Sequence, residues 1–425
     1  MSQKKLDALK YIFLFLLLQF YIIGFFLREN VAGGAEKDFL NYTWPLIEAF
    51  KDQFYNTLKN YRSFGEGSLP LFHITNAFIN PFTFSKISFQ GSITFISLLS
   101  VIFFSQIIRD KFKIRELDSI VYSSIFLILP FFRSSAYWGL TENFGWLFLI
   151  LSIKYYLKEE KSEKKKTVKH IFFICLFSSL ALYIRPYLIF FPIFIILNIL
   201  KDRNTHFLKY TCLFYFLFSL PGFFLLYLWG FDFTVAGEKV GLIQDYHNPK
   251  FILKNTVIFS TIFLFYFLPW EFSSFLKKIE FPKKEKILIF LSILLLLSLL
   301  SFLNIFEYLN NIKLGGGAIL KINQILFKNQ NLFFIFISSI GFALIIDYMK
   351  ISKKNLILFF SLLIFCFPIY ILQEYFEPLV IILLFTLMEL RKDSIKLIRD
   401  NKTIFIFCSY FVIYFIGSYY YRYLF

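Results

Sequence analysis

Two acids, Glu36 and Asp38, stand two positions apart just beyond the first apolar run of the chain. A carboxylate in such a place is suited to act as a general base, taking a proton from an acceptor hydroxyl. Later in the chain, Glu142 interrupts an otherwise apolar stretch in Tyr137-Trp-Gly-Leu-Thr-Glu-Asn143, and Arg185 precedes Pro186 between two apolar runs. A charge inside an apolar run costs a few kcal/mol, so it needs a partner or a task. Arginine can hold a phosphate bidentately while neutralising it, which makes Arg185 the first candidate for such a ligand and Arg62 and Lys321 the next. His247 and Tyr375, the latter in Gln373-Glu374-Tyr375-Phe376-Glu377-Pro378, complete the substrate-binding candidates. Each has a plainer reading beside it. Glu36 and Asp38 can be solvated loop acids, Glu142 and Arg185 a structural ion pair with Arg133 nearby, the Gln373–Pro378 segment an ordinary helix turn, and the loop cations solvated charges.

Several chemistries lack their residues. The glycines at 315–317 are followed by Ala318 and not by Lys-Ser/Thr, and no His-Glu-x-x-His or Gly-x-Ser-x-Gly occurs. The four histidines, at 73, 170, 206 and 247, are too dispersed to suggest zinc. Hydrolase and ATPase readings therefore lose their support.

The elements that must position these residues are set by composition. Of 425 residues, 58% are hydrophobic and 22% aromatic, and only 17% are charged, against about a quarter in a soluble domain. Mean hydropathy is +0.64. A soluble enzyme is excluded, and apolar runs of about 20 residues predict an all-α polytopic membrane protein. Candidate spans fall near 10–27, 87–107, 119–134, 136–157, 170–184, 186–200, 210–230, 251–270, 287–305, 331–349, 355–371, 376–390 and 403–420, which is about 11–13 transmembrane helices once re-entrant pairs at 119–157 and 170–200 are allowed for. No repeat or soluble domain interrupts them, so 1–425 reads as a single integral membrane domain. Lys4, Lys5 and Lys10 precede the first run in the order of a signal sequence, but the run is long and no small-residue cleavage site follows, so it is expected to stay as the first span. Cys175, Cys212, Cys366 and Cys408 all lie inside apolar runs, which argues against a disulfide framework.

The formal charge of +17 carries orientation. With the N-terminus cytoplasmic, the inner segments hold 30 of the 45 lysines and arginines and 15 of the 28 acids, so the inner side carries +15 and the outer side +2. Nucleic-acid binding is discounted because the basic residues sit in short clusters between apolar runs. The same assignment puts the long segment 28–86 on the outer face. Within it, Ile47, Phe50, Phe54, Leu58 and Tyr61 recur at helical spacing opposite Glu48, Lys51, Asp52, Asn56 and Lys59, with Thr43 placed to cap and Pro45 in the first turn. This predicts an amphipathic interfacial helix over about 43–61.

Taken together, the Glu36/Asp38 motif after the first span, the amphipathic helix that follows, Thr141-Glu142-Asn143 and Tyr183-Ile-Arg-Pro-Tyr187 resemble the GT-C superfamily of membrane glycosyltransferases. A fainter similarity, through Asp38, Thr141-Glu142 and Tyr375-Phe376-Glu377-Pro378, runs to the family of the dolichol-pathway terminal α-1,2-glucosyltransferase. Glu374 stands where that family has arginine, so no phosphate role is carried to that position. The resemblance implies a GT-C-like fold and an inverting transfer on the outer face, from a polyprenyl-phosphate sugar donor to a lipid-linked glycan or other acceptor, with Asp38 or Glu36 as base. No resident cofactor is implied, and a divalent cation near the paired acids is left open. The setting implied is a bacterial inner (plasma) membrane and cell-envelope polysaccharide. Two other readings stand beside it. An O-antigen or exopolysaccharide polymerase would use arginines in later outer loops. A lipid-linked oligosaccharide flippase or other transporter would carry mid-span charges and an inverted repeat.

Overall fold

The computed structural model describes residues 3–31, 33–65, 68–161, 167–202, 204–231, 234–235, 238–239, 249–276, 287, 290–291, 293–294, 317–327, 332–365, 372–390 and 392–424. Apart from a two-residue antiparallel ladder, Thr234–Val235 with Glu238–Lys239, the regular elements among them are helices. Among the described residues, five helices are long and apolar enough to cross a membrane: Gln3–Phe26, Lys86–Phe112, Thr205–Leu228, Thr256–Ser274 and Asn401–Arg422. A sixth span results if the pair Glu116–Ile128 and Pro130–Trp138, bent by 70°, crosses as one. Shorter apolar helices cover Val168–Ile184, Pro186–Lys201, Gly317–Phe327 and Phe333–Ile346. The candidate span at 287–305 lies almost wholly outside the described residues.

By contacts the chain divides into two compact units, residues 1–240 with 408–425, and residues 241–407. The first unit contains α1 (Gln3–Phe26), α2 (Ala35–Asp38), α3 (Trp44–Asp52), α4 (Phe54–Lys59), α5 (Leu71–Phe78), α6 (Lys86–Phe112), α7 (Glu116–Ser123), α8 (Pro130–Trp138), α9 (Glu142–Lys161), α10 (Val168–Ile184), α11 (Phe190–Lys201) and α12 (Thr205–Leu228). Leu213, Phe216, Leu220, Phe223 and Phe224 of α12 are all exposed. A run of large apolar side chains of this kind needs lipid or another apolar cover.

Near its start, α1 is tied to α7 by charge. Lys10, almost fully buried, lies 2.5 Å from Asp118. Arg115 pairs with the same carboxylate at 2.9 Å and with Asp7 at 3.0 Å. Its hydrogen bonds to Asp118, followed by the attraction of both carboxylates, hold the Arg115 guanidinium above its ordinary range.

Two local expectations are corrected. Thr43 is not an N-cap: its backbone is helical, with φ −63° and ψ −55°, and no side-chain cap is made. The chain is already helical from Ala35 and passes into α3 through a π-turn, Phe39–Thr43, so no free helix start exists there to be capped. The helix expected over 43–61 also breaks at Gln53, where φ is −143° and ψ 70°. The break lets Phe54 pack on Phe78, with ring centroids 5.7 Å apart, while the Thr57 hydroxyl donates to the Ala49 carbonyl at 2.9 Å across the gap. The amphipathic pattern holds except at Phe54, which was expected on the apolar face and is 43% exposed. Ile47, Phe50, Leu58 and Tyr61 are buried, whereas Glu48, Lys51, Asp52, Asn56 and Lys59 are exposed. The buried face of α3 packs on α5.

A boundary shift separates the expected spans 119–134 and 136–157. Leu129, with ψ 122°, is extended because it precedes Pro130, which then opens α8 at its first turn. Gly139 ends α8 in the left-handed region, at φ +66°, and a Cβ there would stand 2.7 Å from the Phe89 ring. Glycine is required on both counts. At 184–186 the break falls where Arg185 and Pro186 mark it.

The second unit contains α13 (Pro249–Leu276), α14 (Gly317–Phe327), α15 (Leu332–Ile351), α16 (Lys353–Phe365), α17 (Glu377–Phe385) and α18 (Lys392–Ile398). Its core is apolar, with Phe259, Phe263, Phe359, Phe376 and Phe385 buried. The last helix, α19 (Asn401–Leu424), ends the described chain.

Candidate functional site

Glu29 follows the end of α1 and turns into unit 1, where it meets Arg133 of α8. Arg133 donates from Nε to Oε1 at 2.8 Å and from Nη2 to Oε2 at 2.5 Å, and Nη1 donates to the Leu127 carbonyl at 2.8 Å. Aromatic rings close around the guanidinium, with Phe20 and Phe415 each 4.8 Å, Tyr137 5.4 Å and Tyr21 5.8 Å from its carbon. Two further bonds fasten the same ends, Tyr137 Oη to the Tyr21 carbonyl at 2.6 Å and Trp138 Nε1 to the Glu29 carbonyl at 3.2 Å. From the sequence, Arg133 is an interruption of an apolar stretch and a neighbour of Glu142, and Glu29 is not singled out. The available signal was a second charge just past the first apolar run, but a hundred intervening positions conceal the pairing.

Glu36 and Asp38 are both exposed, on the single-turn helix α2. That turn packs on α8. Phe39, only 1% exposed, anchors it: the ring stacks on Phe89 of α6 at 6.1 Å and meets Trp138 of α8 at 6.2 Å and Trp44 at 6.1 Å. The predicted acids therefore stand one turn from the junction of α6 and α8.

Beside that junction is a cavity of about 250 Å³. Phe25, Phe26 and Arg28 line it from the end of α1, Ile87 and Gln90 from α6, and Tyr137 and Trp138 from α8. Arg28 is exposed and left-handed, at φ +53°, and Gln90 is 8% exposed.

Glu142 and Arg185 form an ion pair, and Ser135 Oγ donates to Glu142 at 2.9 Å. Gly145 makes room for the arginine stem, since a Cβ there would lie 3.1 Å from Arg185 Cγ. Asn143 donates to Ser97 Oγ at 2.8 Å and to the Phe132 carbonyl at 3.0 Å. Thr141-Glu142-Asn143 thus fastens the start of α9 to α6, α8 and the Arg185 turn. Arg62 lies elsewhere in unit 1, 4.5 Å over the Trp229 ring. The adjacent Tyr61 stacks on the same indole at 6.1 Å, and its hydroxyl is 3.1 Å from His73 Nδ1.

Lys321 and Tyr375 belong to unit 2 and are both half-buried. Burial holds the Lys321 ammonium below the ordinary lysine range. Tyr375 sits in the turn Gln373–Tyr375, whose Gln373 Nε2 donates to Tyr266 Oη at 2.8 Å while its Oε1 accepts from the Ala318 backbone N–H at 2.6 Å. Tyr266 in turn donates to the buried carboxylate of Glu377 at 3.1 Å. Gln373 and Glu377 fall in the segment marked out by sequence, whereas Tyr266, which joins them from α13, was not legible because it lies more than a hundred positions away. His247 lies outside the described residues.

Among the described residues no group of three or more His, Cys, Asp or Glu is placed to hold a metal ion. Cys175 and Cys408 are buried, Cys212 is exposed and all three are free thiols, while Cys366 lies outside the described residues. No family model, curated protein or solved structure matches the chain.

Proposed function

We propose that this protein is an inverting, GT-C-like glycosyltransferase that moves a sugar from a polyprenyl-phosphate donor to a lipid-linked glycan or other acceptor at the outer face of a plasma membrane. The observation that carries the reading is the anchoring of the acidic turn: Phe39 is held between Phe89 and Trp138, while Glu36 and Asp38 beside it remain exposed. A rigid hydrophobic anchor next to a solvent-facing carboxylate is the arrangement a general base needs, because the group must be both positioned and able to meet its proton donor. In the reaction, Asp38 or Glu36 takes the proton of an acceptor hydroxyl. The freed oxygen attacks the anomeric carbon, and the carbon–oxygen bond to phosphate breaks, so polyprenyl phosphate leaves with the electron pair and the centre inverts.

The Glu142–Arg185 pair modifies the role expected for Arg185. Its guanidinium faces a carboxylate, so it meets a donor phosphate by sharing or exchanging Glu142, and the pair also holds α9 to the neighbouring turn. Arg62, Lys321 and Tyr375 stay as substrate-binding candidates. The exposed Phe54 and Tyr55 suit α4 to lie along the membrane interface. The charge asymmetry of the loops sets the N-terminus in the cytoplasm.

The test is sugar transfer from a polyprenyl-phosphate sugar by the full chain in proteoliposomes, comparing Asp38→Asn and Glu36→Gln with the unmodified protein. One of the two is expected to lose transfer by about 10²- to 10⁴-fold. Full activity in both would remove the base assignment.

A further inference from the structure

The cavity between the ends of α1, α6 and α8 has two chemically different sides. Its rim is apolar and open, with Phe26 76% and Ile87 58% exposed. Deeper in, Gln90 is 8% exposed, and its side-chain amide makes no hydrogen bond among the described residues. That amide is not sealed off, so a ligand or water in the cavity can complete it. The other polar groups of the lining are already spent: Tyr137 Oη donates to the Tyr21 carbonyl and Trp138 Nε1 to the Glu29 carbonyl. Arg28 adds a positive charge, and no carboxylate pairs with it among the described residues. The nearest acid in sequence, Glu29, is bound bidentately by Arg133, so it does not cancel that charge.

We propose that this cavity holds the phosphate headgroup of a membrane lipid, with Arg28 and Gln90 as its ligands and the lipid chain leaving past Phe26 and Ile87. Size supports a head and not a whole ligand. The cavity's 250 Å³ falls below the ~300–1,000 Å³ of pockets that enclose drug-sized molecules, yet far exceeds the ~30 Å³ of one water. An amphiphile satisfies both sides at once, because its anion meets the arginine and the amide while its tail covers the exposed aromatic and aliphatic rim. The inference stands on the cavity alone and does not rest on the transferase reading.

The full-length protein in phosphatidylcholine nanodiscs can be titrated with radiolabelled polyprenyl phosphate, with phosphatidylglycerol and with inorganic phosphate. Arg28→Asn is the main variant, since asparagine tolerates the left-handed backbone that Arg28 adopts. Gln90→Leu is the second, and unchanged melting certifies that both are folded. Saturable lipid binding that weakens about 10- to 100-fold in Arg28→Asn, and by less in Arg28→Lys and Gln90→Leu, is expected. Preference for polyprenyl phosphate identifies an isoprenoid monophosphate as occupant, and equal binding of phosphatidylglycerol identifies a bulk anionic lipid; both support the proposal. Lipid binding indifferent to Arg28 and Gln90 in folded variants overturns it, as does a response confined to inorganic phosphate. Asp38→Asn is expected to leave binding intact, so a failure of the transferase reading remains distinguishable from a failure of this one.

Discussion

Glu29 and Arg133 lie 104 positions apart and meet side chain to side chain, with Arg133 Nη2 2.5 Å from Glu29 Oε2 and neither side chain more than 6% exposed. The pair joins the end of the first apolar helix to a short helix opened by Pro130, and the rings of Phe20, Tyr21, Tyr137 and Phe415 exclude water from it.

Removing one partner leaves an uncompensated buried charge. Glu29→Gln or Arg133→Met is expected to cost about 3–5 kcal/mol, and the double variant Glu29→Leu/Arg133→Met less than either alone. Gly24→Ala should act on the same pair by steric means, because its Cβ would fall 2.5 Å from Arg133 Nη2 and 2.8 Å from Glu29 Oε2. Thermal unfolding of the purified protein measures all four, and neutral single variants would show that the pair is not a structural lock.

Phe39 should position the acidic turn. Phe39→Ala is expected to destabilise by about 3 kcal/mol or more, as truncation of a fully buried phenylalanine does. The milder Phe39→Leu is expected to keep the fold and lower kcat of sugar transfer with little change in KM. A KM effect alone would argue that the turn binds substrate without acting on it.

Sidedness can be read by labelling. In a background with the four cysteines replaced, Asp38→Cys and Asp110→Cys both introduce exposed thiols, at opposite ends of the stretch that includes the spanning helix α6. A membrane-impermeant maleimide is expected to modify position 38 from outside and position 110 only after the inner face is opened. Labelling of both from one side contradicts the topology.

In unit 2, Tyr266 links Gln373 to Glu377 through one hydroxyl. Tyr266→Phe leaves two buried polar groups short of a partner, and a loss of about 1–3 kcal/mol is expected. Gln373→Leu also strips the Ala318 N–H of its acceptor, so it should cost more. Equal and small effects would mean that water replaces the hydroxyl.

How much of this was legible beforehand follows from the range of each signal. The buried face of Ile47, Phe50, Leu58 and Tyr61 was readable because helical periodicity is local, and the break at Arg185–Pro186 because proline acts on its own neighbour. Thr43 misled because a capping residue is recognised by type, whereas a cap forms only where a helix begins, and here the helix had begun at Ala35. The interruption at Gln53 carries no glycine or proline that would signal it locally, and beyond it Phe54 meets Phe78, a contact made in space.

By itself the sequence determined that the chain is helical, that several helices are apolar enough to cross a membrane, and where the exposed acids Glu36 and Asp38 fall. Those properties depend on hydropathy and spacing within a few turns. Only the tertiary structure decided that Glu29 belongs to Arg133 and Glu142 to Arg185, and that Arg28 and Gln90 share a cavity with Phe26. Charges and amides choose partners by distance in space, and residues on separate helices acquire that distance only when the helices pack.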